Sequence, residues 1–122
     1  MDYSNITELH LSNKGLTQLP DLSIYTNLKV LNCSRNQITS LDNLPHTITK
    51  LHCSYNQITR LDNLPTILTV LDCAGNLIAT LDNLPQTITE LFCSGNPLQY
   101  DFEPTLENIR KHTTTQDNII KN

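Results

Sequence analysis

The sequence predicts a solenoid in which each turn contributes one short strand to a parallel β-sheet. The first observation is a fixed period, because the phrase that starts at Leu31 starts again at Leu51, Leu71 and Leu91, each time twenty residues later. The second is the alternation of apolar and polar residues around each start, as in Leu51-His52-Cys53, which is typical of a half-buried strand. The third is the recurrence of turn residues at constant offsets within each copy.

The elements follow along the chain in order. A degenerate N-terminal capping turn is expected at about 6–27, because Leu9 lies 22 residues before Leu31 and Lys14 stands where asparagine is expected. Regular repeats are expected at about 28–100. Twenty residues are too few for a strand, a full helix and two loops, so the return segments should be extended or short 3₁₀ runs.

A different pattern follows the last repeat. The stretch from Glu103 to His112 predicts a short C-terminal capping helix, with Pro104 at its first position and the cationic Lys111 and His112 at its C-terminal end. Residues 1–112 would then form one domain, and residues 113–122 a polar tail.

The repeat unit resembles a known family. Leu-x-x-Leu-x-Cys-x-x-Asn-x-Ile, read at Leu28 to Ile38 and with isoleucine in first place at Ile48 to Ile58, resembles the consensus of the leucine-rich repeat. The short unit with its Leu-Pro pairs is similar to the repeats of secreted bacterial effectors and, more closely, to leucine-rich-repeat proteins of giant DNA viruses of amoebae. The resemblance implies a parallel sheet on the concave face and extended or 3₁₀ return segments on the convex face.

Composition excludes several classes of function. The net charge is −4 with only eight Lys and Arg, which disfavours nucleic-acid binding. No apolar run reaches the length of a membrane span, and the first residues lack the features of a secretory signal. We therefore expect an intracellular, cytoplasmic protein (in the host cytoplasm if it is viral) with no membrane or nucleic-acid partner and no cofactor.

Three columns of identical residues are expected to stack into ladders about 4.8 Å apart. The asparagines should bond backbone groups at the bend, and the cysteines should be inert core thiols, since a ladder of four cannot close around one zinc ion. The aspartates should bond turn amides, with a bound cation as the open alternative. The ladders comprise Asn36, Asn56, Asn76 and Asn96; Cys33, Cys53, Cys73 and Cys93; and Asp42, Asp62 and Asp82.

The outward strand positions vary between turns and are the candidate binding residues. His52, Asp72 and Ser54 lie near one another on this face, but an open sheet offers neither the contacts nor the enclosure of a hydrolase triad, so no enzymatic activity is predicted. The candidates for partner binding are Arg35, Lys50, His52, Tyr55, Asp72 and Phe92.

The sequence therefore predicts a non-enzymatic module that binds an unidentified protein, possibly a host protein, through the strand face. Two alternatives remain open: a structural or self-assembling solenoid element without a separate ligand, and a substrate-recruiting fragment of an effector-like system. The chain would be a monomer or associate weakly end to end.

Overall fold

A computed structural model describes the backbone of residues 2–121 and the side chains of residues 2–115. Five three-residue strands form one parallel sheet in chain order, and one helix follows them. The strands are β1 (Glu8–His10), β2 (Val30–Asn32), β3 (Lys50–His52), β4 (Val70–Asp72) and β5 (Glu90–Phe92), and the helix is α1 (Leu106–Lys121). The predicted solenoid is confirmed.

The register of the sheet follows directly from the sequence period. Leu31 pairs with Leu51, and Leu51 pairs with Leu71, so repeat-equivalent residues lie side by side. These three leucines are fully buried, whereas the residues on either side of each face outward. Because side chains alternate along a strand, in-register pairing places every leucine in one apolar column.

Asparagine side chains connect each turn to the one before it. The Asn56 side-chain oxygen accepts a hydrogen bond from Ile38 N at 3.0 Å, and its nitrogen donates to Cys33 O and Cys53 O at 3.1 Å each. Asn76 repeats this arrangement one turn later. The predicted structural role of the asparagine ladder is confirmed, since these side chains pair backbone groups that the bend would otherwise leave unpaired.

The return segments supply the second wall of the core without forming a helix in the described residues. Leu41, Leu44 and Ile48 are buried opposite the strand, as predicted. Ile48 N donates to Pro45 O at 3.3 Å, and the same four-residue turn recurs at Pro65 and Pro85. Proline is compatible with the first position of this turn, because it takes part through its carbonyl and needs no backbone donor there.

The first turn lacks its own ladder asparagine and uses that of the second. Asn36 accepts hydrogen bonds from Lys14 N and Leu16 N, both at 3.0 Å, and donates to Leu11 O at 2.9 Å. The bend around Lys14 is thereby closed even though lysine occupies the asparagine position.

The C-terminal helix differs from the prediction at both ends. It begins at Leu106 rather than near 103, because the Thr105 hydroxyl accepts a hydrogen bond from Asn108 N at 3.1 Å and so acts as the N-cap. It continues to Lys121, beyond the predicted end at 112, so the expected polar tail from 113 is helical as far as the backbone is described. Neither glycine nor proline interrupts this stretch, and the Thr113 hydroxyl donates to Ile109 O within the helix.

Across residues 2–121, no helix combines the length and the apolarity that crossing a membrane requires.

Candidate binding face

The predicted binding residues lie on the sheet face and on its rim. Lys50 and His52 belong to β3, Asp72 ends β4 and Phe92 ends β5. Arg35 and Tyr55 follow at the bends beyond β2 and β3. The large side chains of Tyr55 and Phe92 are 55% and 53% exposed, which is unusual for aromatic residues of a small core-forming repeat.

Arg35 and Tyr55 form a stacked pair on this rim. The Arg35 guanidinium carbon lies 4.8 Å from the centroid of the Tyr55 ring, within cation–π distance. On its other side the ring covers Gly75, where a Cβ atom would lie only 2.6 Å from a Tyr55 ring carbon. The tyrosine is therefore held between an arginine and a glycine while much of its surface faces solvent.

Both residues of the pair have left-handed backbone conformations. The φ angles are +59° at Arg35 and +56° at Tyr55, and the equivalent Gly75 has +68°. Each bend is held by a bond to the next turn, with Arg35 N donating to Ser54 O at 2.9 Å and Tyr55 N to Ala74 O at 2.8 Å. Bulky residues rarely occupy this region, which costs about 1–3 kcal/mol, and they concentrate at functional sites.

His52 and Asp72 are neighbours but form only a loose pair. His52 Nδ1 lies 4.0 Å from Asp72 Oδ2, and both side chains are partly exposed. The other carboxylate oxygen, Oδ1, accepts a bond from Ala74 N at 3.2 Å, while the Ser54 hydroxyl donates to Ser34 Oγ at 3.1 Å. Asp72 and Ser54 are thus engaged by their own turns and neighbours rather than by His52.

Lys50 and Phe92 lie apart from the stacked pair. Lys50 begins β3 and is exposed, whereas Phe92 ends the last strand. Among the described residues, no ion pair or aromatic contact joins either of them to the other candidates. The structure therefore brings together Arg35 with Tyr55, and it aligns His52, Asp72 and Phe92 as in-register neighbours on β3, β4 and β5. Lys50 lies two residues before His52 on the same face of β3.

The four cysteines are buried, as predicted. Burial raises the pKa of Cys33 and of Cys73 to about 12, and it raises the pKa of Cys53 and Cys93 as well. A thiol whose thiolate is disfavoured is a poor nucleophile and a poor metal ligand. The ladder consequently acts as a column of small apolar side chains.

The aspartate ladder differs from the prediction. Among the described residues its carboxylates do not bond turn amides; each has a different side-chain partner. Asp42 accepts from the Ser40 hydroxyl at 3.1 Å, Asp62 pairs with Arg60 at 3.1 Å, and Asp82 accepts from the Tyr100 hydroxyl at 2.6 Å. Amide capping occurs instead at strand ends, where the Asn32 and Asp72 side chains accept from Ser34 N and Ala74 N.

Sequence reasoning missed the part that Gly75 plays in the site. The signal was present in the column Arg35, Tyr55, Gly75 and Gly95, since glycine at two of four equivalent positions indicates a positive φ throughout the column. It also indicates an empty space beside Tyr55, because a glycine in the next turn leaves room for the ring.

A family model described as leucine-rich repeats, in two copies, matches residues 4–46. Two solved structures are similar over most of the chain. YopM from Yersinia enterocolitica is 35% identical over 83% of this chain, with a TM-score of 0.72. The functional domain of InlJ from Listeria monocytogenes, whose structure is described as including a cysteine ladder, is 39% identical over 88% of this chain, with a TM-score of 0.66.

The chain spans 22% of the YopM structure and 24% of the InlJ structure, so it corresponds to about a quarter of each. Comparison with curated protein sequences gives no match. Both similar structures are bacterial, and the resemblance to repeats of giant DNA viruses stays a prediction.

Proposed function

We propose that the chain is a non-enzymatic module that binds a protein partner through its concave sheet face, because it has the leucine-rich-repeat fold and its residues 4–46 match the family model. Repeat solenoids of this kind generally bind proteins on the extended surface that their stacked units create. The proposed contact residues are Arg35, Lys50, His52, Tyr55, Asp72 and Phe92.

The observation that carries the proposal is the exposed Arg35–Tyr55 pair. Tyrosine and arginine are the residue types most enriched at interface hot spots. The ring is fixed before binding by Arg35 on one side and Gly75 on the other, so little conformational entropy remains to be lost when a partner covers it. A rigid aromatic anchor beside a guanidinium suits a partner that presents apolar and carboxylate groups together.

Charged residues are unevenly distributed over the sheet face. Arg35 and Lys50 are the two cations among the proposed contact residues and Asp72 is their one anion, while Glu8 and Glu90 occupy the outermost strands. A partner with acidic groups near the middle of its contact surface would match this distribution, since complementary potentials favour encounter and register.

The test is capture of partner proteins on the immobilised chain, compared between variants. Tyr55→Asn and Arg35→Asn are suitable, because asparagine tolerates a positive φ and Asn13 occupies the equivalent position of the first turn. Each variant should weaken the captured partner by ~1–3 kcal/mol, which is roughly 5- to 150-fold. Ile67→Ala, an exposed apolar residue of a return segment, is the matched control and should leave capture unchanged.

The proposal is wrong if both variants stay folded and retain the same partner as strongly as the parent chain. Loss of capture by the Ile67→Ala control alone would indicate that the partner binds the return segments instead of the sheet face.

We also propose an intracellular site of action, in the host cytoplasm if the chain is viral. Four buried thiols in the free state suit a reducing compartment. Fractionation of cells that produce the natural protein would test this location.

A further inference from the structure

The two ends of the solenoid are covered very differently. At the C-terminal end, α1 lies over the last turn, with Ile109 only 2% exposed. Arg110 donates from its guanidinium to Gln86 O at 3.0 Å and to Ile88 O at 2.6 Å. The helix thereby covers the core and bonds backbone carbonyls of the last turn.

Apolar side chains are only partly covered at the N-terminal end, where no helix packs on the stack in the described residues. Four leucines of the first turn are only partly buried, whereas their equivalents in the second turn are 0–6% exposed. The four are Leu9, Leu11, Leu16 and Leu19. An apolar row of this kind at the end of a stack is a surface on which another layer can pack.

The strand at this end also has a free edge. Thr7 O accepts from Val30 N at 2.9 Å and Leu11 N donates to Asn32 O at 2.7 Å, so the odd-numbered residues bond toward β2. Backbone groups alternate sides along a strand, and those of Glu8 and His10 therefore face away from the sheet. Among the described residues they have no backbone partner.

We infer that this end is an interface between two copies of the chain, formed by antiparallel pairing of β1 with β1 of the second copy. The two-fold axis passes beside Leu9, which places Glu8 of one copy opposite His10 of the other. Both residues then offer N–H and C=O to each other, so the two symmetric pairs form four backbone hydrogen bonds.

Side-chain chemistry selects this register. Centred on Leu9, each Glu8 carboxylate faces an imidazole that can donate a hydrogen bond to it. Centred on Glu8 instead, two carboxylates would face each other, which is unfavourable across a strand pair. The Glu8 and His10 side chains are 60% and 66% exposed and already lie 3.5 Å apart within one copy, so they are free to exchange partners.

The same axis brings the apolar rows together. Leu9 faces its own equivalent in the closely spaced, non-hydrogen-bonded pair, and both leucines point to the core side of the joined sheet. The remaining leucines of the row follow on that side. Two sheets of five strands would become one continuous sheet, with both concave faces on the same side.

The test is sedimentation equilibrium of the whole chain from micromolar to millimolar concentration. The mass should rise from 13.8 kDa toward twice that value. Glu8→Lys should weaken the dimer roughly tenfold, because both symmetry-related pairs change at once, and Glu8→Lys with His10→Glu should restore it. His10→Pro, which removes a free-edge donor but no bond to β2, should abolish the dimer.

Glu90→Lys is the matched control, since Glu90 occupies the equivalent position of β5 at the opposite end, and it should leave the mass unchanged. A chain that stays monomeric at millimolar concentration contradicts the inference. A dimer that Glu8→Lys leaves intact, or that Glu90→Lys weakens equally, would assign the contact to another surface.

Discussion

Replacing Asn56 with alanine should destabilise the fold by roughly 2–5 kcal/mol, which is a large share of the stability of a domain of this size. Asn56 is 7% exposed, and its side chain makes three bonds of 3.0–3.1 Å to backbone groups of two turns and a longer one, of 3.4 Å, to Ser54 O. Alanine can form none of these bonds, because its methyl side chain has neither a donor nor an acceptor.

The magnitude follows from which backbone groups lose their partner. Ile38 N is buried and would be left unpaired, which costs about 1–3 kcal/mol. The two carbonyls fare better, because Cys33 O also accepts from Asn36 at 2.9 Å and Cys53 O also accepts from Asn76 at 3.0 Å. Losing one of two bonds at each carbonyl adds about 0.5–1 kcal/mol apiece.

Urea unfolding followed by circular dichroism measures the change. Gln57→Ala is the control, since this neighbouring side chain is exposed and its substitution should stay within about 0.5 kcal/mol of the parent. If Asn56→Ala also falls within about 0.5 kcal/mol, the asparagine ladder does not stabilise the stack and the reasoning fails.

Three further predictions concern stability. Gly75→Ala should destabilise more than Gly15→Ala, because both have a positive φ but only at Gly75 would the new Cβ meet the Tyr55 ring; equal losses in urea unfolding would contradict the described packing. Ile109→Ala should cost about 2–5 kcal/mol by the same assay if α1 completes the core, and a loss below about 0.5 kcal/mol would show that it does not. Stability should fall as pH rises from the ordinary thiol pKa of 9.0 toward the raised pKa of about 12 at Cys73, because the unfolded chain releases a proton that the folded chain retains. The loss is about 1.4 kcal/mol per pH unit for each such thiol, so Cys73→Ala should lessen the slope measured by urea unfolding, and an unchanged slope would contradict the assignment.

The repeat made most of the fold predictable. Because Leu51 and its equivalents recur at a constant interval, strand direction, register and core column follow from the sequence alone. The asparagine bonds were equally predictable, since an amide side chain can both donate to and accept from the backbone groups exposed at a bend.

The features that differ from the prediction depend on side-chain contacts that the repeat period does not determine. Thr105 and Pro104 both suit a helix start, and the bond from Asn108 N decides in favour of Thr105 as the cap. The aspartates share one sequence position, yet Asp62 pairs with Arg60 while Asp82 meets Tyr100, because the partners come from residues that vary between turns.

The sequence predicted which surface carries the candidate site, but not which of its side chains contact one another. Outward positions on β3 and β4 placed His52 beside Asp72. The stacking of Arg35 on Tyr55 could not be read from spacing, because it depends on left-handed bends and on the space beside Gly75. Those features belong to three-dimensional packing of three consecutive turns.

The most direct test of the proposed function is photo-crosslinking from defined positions on the two sides of the solenoid. A photoreactive phenylalanine at Phe92 or Tyr55 would report contacts of the sheet face, and the same residue at Ile67 would report the return side. We predict that both sheet-face positions crosslink to one common protein in extracts of the natural cell and that position 67 does not. Crosslinks to that protein from position 67 alone would contradict the account.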